Sequence, residues 1–520
     1  MGSHTGLFIL FFVIFSAVYI ILGYISFLKT KTEEDWLIAG GKMSGFFVAF
    51  SYGATFISAV ALIGFAGAGS LFGQGLLWLS FLNIFVGIFI AFVFFGFRTR
   101  KMGRALNALT MPGLIGNRFN SRGLQAVSGA IIALFAVSYT TAVFLAIGSL
   151  IEVTFGIPYR TSILVFTIIV AVYLLAGGLR AVMWTDAIQG VLMLILMVVL
   201  YFWIYIKLGG ITAAHDQAAA LTAAELAKIG SPAAKLAPNG LTSLPPFGSV
   251  PFMILLSLIC GVGIGVLAQP QLVIRYLTAK SERALAIAVP LGGIFILCMT
   301  FAAFSIGPLA DIFFVKNAIM YPGTPDKVIP LLLNKFFPFW FVFLFLFGIL
   351  AAAMSTCDSL FHVVGASIAR DIYDKGIMGG KVSSTNALRI NRLATAMIII
   401  ATLALSLKPP AAVAIMCTFF FGLMGSTFLA VYTLSLYWKR MTKTGAWAGI
   451  LSGFLTTVIW YSFIFYKTAP KISGLKIAPP IGYLDPLFIA IPLSFLLTWL
   501  VSLITKPLPE ELINKAFKDI

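Results

Sequence analysis

The feature that most constrains this chain is a series of apolar runs, each near the ~20 residues needed to cross a bilayer. Thirteen can be marked, at about 6–28, 45–69, 75–97, 123–152, 161–177, 184–208, 249–276, 285–311, 338–370, 391–407, 411–437, 444–466 and 483–504. One such run fits inside a soluble domain. Thirteen do not, because no globular core hides that much apolar surface from water. Composition agrees: 60% of the 520 residues are hydrophobic and 10% charged, against roughly 25% charged in soluble proteins. An all-α polytopic protein of the cell membrane is expected, with the lipid bilayer as its surroundings. A soluble enzyme, a nucleic-acid binder and a disordered chain are excluded. Leu7–Leu28 is too long for a signal-peptide core and lacks a basic flank, so it reads as a retained first span.

The net charge of +18 invites an acidic partner until the basic residues are placed. With the N-terminus outside, the inward segments hold 24 of the 35 Lys and Arg, from Lys29 through Arg275 to Lys518. The bias follows the positive-inside rule, giving N-terminus outside and C-terminus inside. These charges orient the chain, and no nucleic-acid partner is needed to explain them. Sixteen residues follow the last span, which leaves no room for a soluble domain there.

Two spans are interrupted. Span 2 reads Ser51-Tyr-Gly-Ala-Thr-Phe-Ile-Ser58, with Gly64, Gly67 and Gly69 beyond, and span 7 reads Cys260-Gly-Val-Gly-Ile-Gly-Val-Leu-Ala-Gln-Pro270. Glycine clusters and a proline weaken a helix and free backbone groups, which a membrane tolerates only against protein or a water-filled cavity. The breaks lie five spans apart, so spans 2–6 and 7–11 can form two five-span repeats of opposite topology. Paired broken helices point to a carrier's midplane site; close helix packing is the other use of such glycines. The chain divides into a first span and inner loop (1–44), a first repeat (45–208), an external loop (209–248), a second repeat (249–437) and two C-terminal spans with a tail (438–520). Within the loop, Ala213–Ile229 is expected to form one short amphipathic helix.

The four cysteines, Cys260, Cys298, Cys357 and Cys417, lie in apolar stretches and read as small buried hydrophobes. The acids are more informative. Each charge inside a bilayer needs a reason, at ~2.5 kcal/mol or more near its centre. Asp186 opens span 6, where the helix dipole also favours an acid. Asp358 lies well inside span 9 and must be protonated, paired or bound to a cation. Helical spacing sets Ser355, Asp358, Ser359 and His362 on one face, bordered by Thr356. Hydroxyl and carboxylate oxygens are hard ligands that suit a small cation such as Na⁺. The hydroxyls can instead bond their own helix's carbonyls. His362 is expected to donate a hydrogen bond to Asp358.

The segment Ala351–Tyr373 (AAAMSTCDSLFHVVGASIARDIY) closely resembles the signature of the sodium:solute symporters. So do Gly177–Gly190 (GGLRAVMWTDAIQG), Gln269–Arg275 (QPQLVIR) and Ser51–Gly69. The motifs stand in the right order and the right spans, and the likeness covers nearly the whole chain. The resemblance implies a LeuT-type fold of two inverted five-span repeats with an extra span before them. It also implies coupling of inward Na⁺ flow to uptake of a small-molecule solute, not an enzyme activity. Carried over residue by residue, the principal Na⁺ site uses backbone carbonyls of Ala54, Ile57 and Ala352 and the hydroxyls of Ser355 and Thr356. Asp186, Ser355, Asp358 and Ser359 match a second cation site found in some relatives, which leaves one or two Na⁺ per solute. The solute pocket is expected between spans 2, 4, 7 and 11, from Phe56, Ser58, Tyr139, Thr140, Gln269, Phe420 and Met424.

No arginine or lysine is expected at mid-membrane, so an anionic solute would rely on hydroxyls, half-helix dipoles or Na⁺ itself. Gly148–Arg180 and Ser51–Gly69 look most like the pantothenate and monocarboxylate branch, which favours a small organic carboxylate. A sugar or amino-acid symporter is the alternative, and a proton-coupled carrier using Asp358 and His362 is the nearest rival mechanism. One chain is expected to suffice for transport. A channel fits the broken helices poorly, and no nucleophile–base motif supports intramembrane enzyme chemistry.

Overall fold

Helices begin in this chain where a hydroxyl settles their first orphan N–H groups. Thr110, Ser121, Ser249, Ser281, Ser383 and Thr442 each accept a backbone N–H three residues on, the usual N-cap role of these residues. The computed structural model describes residues 32–475 and 479–518, with Ile520 and scattered positions between 17 and 30. About two thirds of the expected first span, 6–28, therefore lies outside the described residues. Among the described residues, ten helices are long and apolar enough to cross a membrane. One of them, Gly45–Ala105, contains both expected spans 2 and 3. Many large apolar side chains stand on the outside of the bundle, Leu134, Ile206 and Ile400 among them, as lipid-facing helices require.

Expected spans 5 and 6 are two helices within Tyr159–Lys207 that meet at a kink at Gly178 (φ 65°, ψ −178°). A Cβ at Gly178 would stand 2.7 Å from the Trp36 ring, so both the bend and the packing need glycine there. The external segment departs from expectation. Instead of one helix over 213–229 there are two, Ile211–Ala220 and Ala223–Lys228. The first ends where Leu221 turns extended, and Thr222 caps the second through a reciprocal bond with Glu225.

Span 2 runs as Gly45–Ala59, a π-helical stretch Val60–Phe65, and Ala66–Phe72. It breaks at Ser58, whose φ of 42° is left-handed. Span 7 breaks between Val250–Gly265 with its short 3₁₀ extension and Pro270–Thr278, where Gln269 is extended (φ −77°, ψ 116°). Span 2 packs against spans 6, 8 and 9, and span 7 packs against span 11. The broken pair thus lies inside the bundle.

Candidate functional site

A helix that stops leaves its last carbonyls without N–H partners and carries the negative end of its dipole. At the Ser58 break, the carbonyls of the last turn belong to Ala54, Thr55, Phe56 and Ile57, of which Ile57 keeps an N–H partner. Span 9 (Phe339–Ala366) crosses at this point. Its Ser355 hydroxyl lies 3.1 Å from the Ala54 carbonyl and 3.0 Å from the Ala352 carbonyl. Thr356 donates to the Thr55 carbonyl at 3.1 Å. Ser355 has one O–H for two acceptors, so it donates to one of the two carbonyls at a time. A small cation bound among these oxygens would satisfy both carbonyls and let the hydroxyl oxygen act as a ligand. Four of the five expected ligand residues, Ala54, Ala352, Ser355 and Thr356, meet here. The fifth, Ile57, sits on the same turn, with its carbonyl accepting the Val60 N–H.

One turn along span 9 is a charged cluster. Asp186 Oδ2 accepts from Ser51 at 2.6 Å and Thr55 at 3.4 Å, and from Arg275 Nη2 at 3.2 Å. Thr55 and Ser359 are 2.9 Å apart, and Arg275 bonds both hydroxyls. Arg275 and Asp186 form a fully buried ion pair. Arg275, expected as an orienting charge at the inner edge, is instead turned into the protein, three residues before its half-helix ends at Thr278. The half-helix that restarts at Pro270 carries Arg275 back into the bundle. Of the expected second cation site, Asp186 and Ser359 meet around the Arg275 guanidinium. Asp358 is fully buried and near enough for its charge to act on Arg275.

The expected bond from His362 to Asp358 does not form. The His362 ring nitrogen faces the Leu37 carbonyl at 3.4 Å instead. The four-residue offset brings the two residues together on one face, but the ring reaches to the neighbouring Glu33–Ile38 helix.

Beside the Ser58 break is a cavity of about 20 Å³, room for roughly one water. Phe56, Ser58 and Tyr139 line it as expected, joined by Asn83, Cys417 and Phe421. Tyr139 donates to Ser58 at 3.3 Å. Phe420 is stacked behind Tyr139 at 5.6 Å and Met424 is in the buried core. Thr140 turns away, its hydroxyl 2.8 Å from that of Thr402. Gln269 spans the other break, donating to Gly265 at 3.0 Å and toward Phe421 at 3.4 Å. Ser51, Thr55, Arg275 and Asn83 join these clusters although the sequence did not mark them as site residues. The i, i+4 spacing of Ser51 and Thr55 beside a break was the available signal. For Asn83, whose amide oxygen is buried without a partner among the described residues, no local signal exists.

Two broken helices, a hard-oxygen cluster where one of them stops, and a small cavity beside it suit an ion-coupled membrane transporter. The sodium:solute symporter family model matches residues 36–453, and the chain belongs to that family. It is a multi-pass cell-membrane protein and a Na⁺-coupled solute symporter. Sodium/proline symporters of Staphylococcus aureus are 28% identical over 503 residues, covering 95% of this chain and 92% of theirs. The fold resembles a Na⁺-coupled sialic acid symporter in a substrate-bound outward-open state, with TM-score 0.74 and 18% identity over 95% of this chain and 96% of that one. It also resembles Mhp1, a nucleobase-cation-symport-1 family transporter, at TM-score 0.54 and 12% identity, over 94% and 98% of the two chains. These neighbours share the LeuT-like fold.

Proposed function

We propose that the protein imports a small organic carboxylate together with one Na⁺, by alternating access in a bundle of thirteen spans with the N-terminus outside. The observation that carries this is the Ser355 hydroxyl held between carbonyls of two crossing spans, one of them broken. Na⁺ there would tie spans 2 and 9 together through Ala54, Ile57, Ala352, Ser355 and Thr356, and order the adjacent cavity before solute enters. In the second cluster, the Arg275 guanidinium supplies the positive charge that a second Na⁺ would bring, which favours a single coupling ion. Asp186, Asp358 and Ser359 then hold the closed arrangement rather than a transported ion.

The cavity lining, with Ser58, Asn83, Tyr139 and Cys417 as its polar groups, includes neither acid nor base. Hydroxyl and amide donors and the nearby Na⁺ suit a carboxylate, and nothing in the lining pairs with an ammonium group. Proline is the second reading, on the strength of the named relatives. The cavity must open several-fold to admit either. Purified protein in liposomes under an inward Na⁺ gradient, or a pH gradient alone, is tested with labelled monocarboxylates, pantothenate, proline and glucose. Concentrative uptake of a carboxylate driven by Na⁺ is expected. Uptake driven by pH and indifferent to Na⁺ would defeat the reading, and uptake of proline alone would move the solute to the amino-acid class.

A further inference from the structure

Far from the Na⁺ site along span 2, beyond its break, lies a second buried acid with no role in the scheme above. Asp311, near the end of span 8 (Glu282–Lys316), is 0% exposed. Neither of its oxygens has a hydrogen-bond partner among the described residues. The helix beside it, Ala66–Phe72, is wedged between span 8 and the 325–327 turn. A Cβ at Gly67 would fall 2.1 Å from the Pro325 carbonyl oxygen, and one at Gly307 would fall 1.9 Å from that of Ala66. Ser70 in this wedge bonds the Gly67 carbonyl at 2.8 Å and the Tyr321 hydroxyl at 3.2 Å. Tyr321 is within electrostatic reach of both Asp311 and Asp326.

An ionised carboxylate buried without any partner is penalised by several kcal/mol. Among the described residues, the surrounding groups offer no counter-charge. Ala66–Phe72 carries no titratable side chain. Lys316 on span 8 itself bonds Gln217, Lys327 pairs with Glu152, His215 bonds Tyr205 and Glu225 bonds Thr222. Lys207, Asp216, Lys228 and Lys335, on the elements around, are exposed. Tyr321 is within electrostatic reach of Asp311, and a phenol brings no positive charge to relieve the penalty. Backbones in contact at the glycines leave little room for a metal ion, whereas a proton needs no cavity.

We propose that Asp311 is a proton-binding site linked to closure of the outer end of span 2. Closing that end buries the carboxyl and takes up one proton from outside; opening it re-hydrates the carboxyl and returns the proton. This rests on the alternating-access and N-outside reading above. Linkage fixes the sign. Closure raises the carboxyl's proton affinity, so the closed state gains at low pH and loses as pH rises.

The test is hydrogen exchange of 66–72 and 321–336 in nanodiscs, in choline chloride, corrected for intrinsic exchange. Over about pH 5.5 to 8.5 the open-to-closed ratio of the wild type is expected to rise with pH, approaching tenfold per unit for one proton. Asp311→Asn, near-isosteric and neutral, should stay closed and flat; Asp311→Ser is a second neutral replacement if the amide misfolds. Asp326→Asn should keep the slope. A flat wild type, a slope surviving in both Asp311 variants, or a slope lost in Asp326→Asn overturns the proposal. So does a wild-type slope abolished when Na⁺ replaces choline, since that makes this a metal site. Solute and Na⁺ are absent from the main arm, so a failure of Na⁺-driven uptake in liposomes leaves this result readable by itself.

Discussion

Ser355 and Arg275 show how single side chains divide the work. Ser355 has one O–H between carbonyls of two spans, and in the proposed site a bound Na⁺ would take the hydroxyl oxygen and both carbonyls as ligands. Losing a hydrogen-bonding oxygen to a charged partner is worth about 1.5–3 kcal/mol, so Ser355→Ala should lower apparent Na⁺ affinity by roughly tenfold or more. Na⁺ titration followed by thermal stability reads this; an unchanged midpoint removes Ser355 from the site. Arg275 neutralises an acid that has no other cationic partner among its hydrogen-bond contacts. Breaking a buried pair by removing one side is destabilising by about 3–5 kcal/mol. Arg275→Gln is therefore expected to melt well below the wild type without Na⁺, and to regain stability with a steeper Na⁺ dependence as a second ion fills the vacated charge. A variant that melts with the wild type in both conditions would falsify the substitution of arginine for a second ion.

At the scale of elements, the two breaks do different things. The Ser58 break turns carbonyls of span 2 toward span 9, while the Pro270 restart aims Arg275 at Asp186. Both were legible as interruptions, because glycine runs and a proline inside apolar stretches free backbone groups that lipid cannot satisfy. Where the restarted half-helix points was not legible, since nothing local to Gln269–Arg275 says which neighbour it meets. The Gly178 bend is a third device, joining spans 5 and 6 against Trp36. An alanine there meets both a left-handed φ and a ring at 2.7 Å, so Gly178→Ala should be destabilising by about 1–3 kcal/mol. Thermal unfolding in detergent measures it, and a loss below a few tenths would mean that the ring simply moves aside.

For the whole molecule, the oxygens proposed to hold Na⁺ and the cavity share span 2 across one broken turn, from Ala54 to Ser58. Coupling between them must be reciprocal: any factor by which Na⁺ tightens solute binding is the factor by which solute tightens Na⁺. Equilibrium binding of each ligand at saturating and zero concentrations of the other should give the same ratio, within error. Unequal ratios would mean that more than the assumed two binding events are linked. The sequence by itself determined the class of the molecule and the breaks in spans 2 and 7, because bilayer thickness and backbone satisfaction act locally along the chain; its likeness to the family pointed to four of the residues proposed to hold Na⁺. Tertiary structure alone decided that Arg275 turns inward to Asp186, that His362 leaves Asp358 for Leu37, and that Asn83 joins the cavity. Those outcomes depend on which helix lies opposite, and a helix's own residues fix its face without fixing its neighbour.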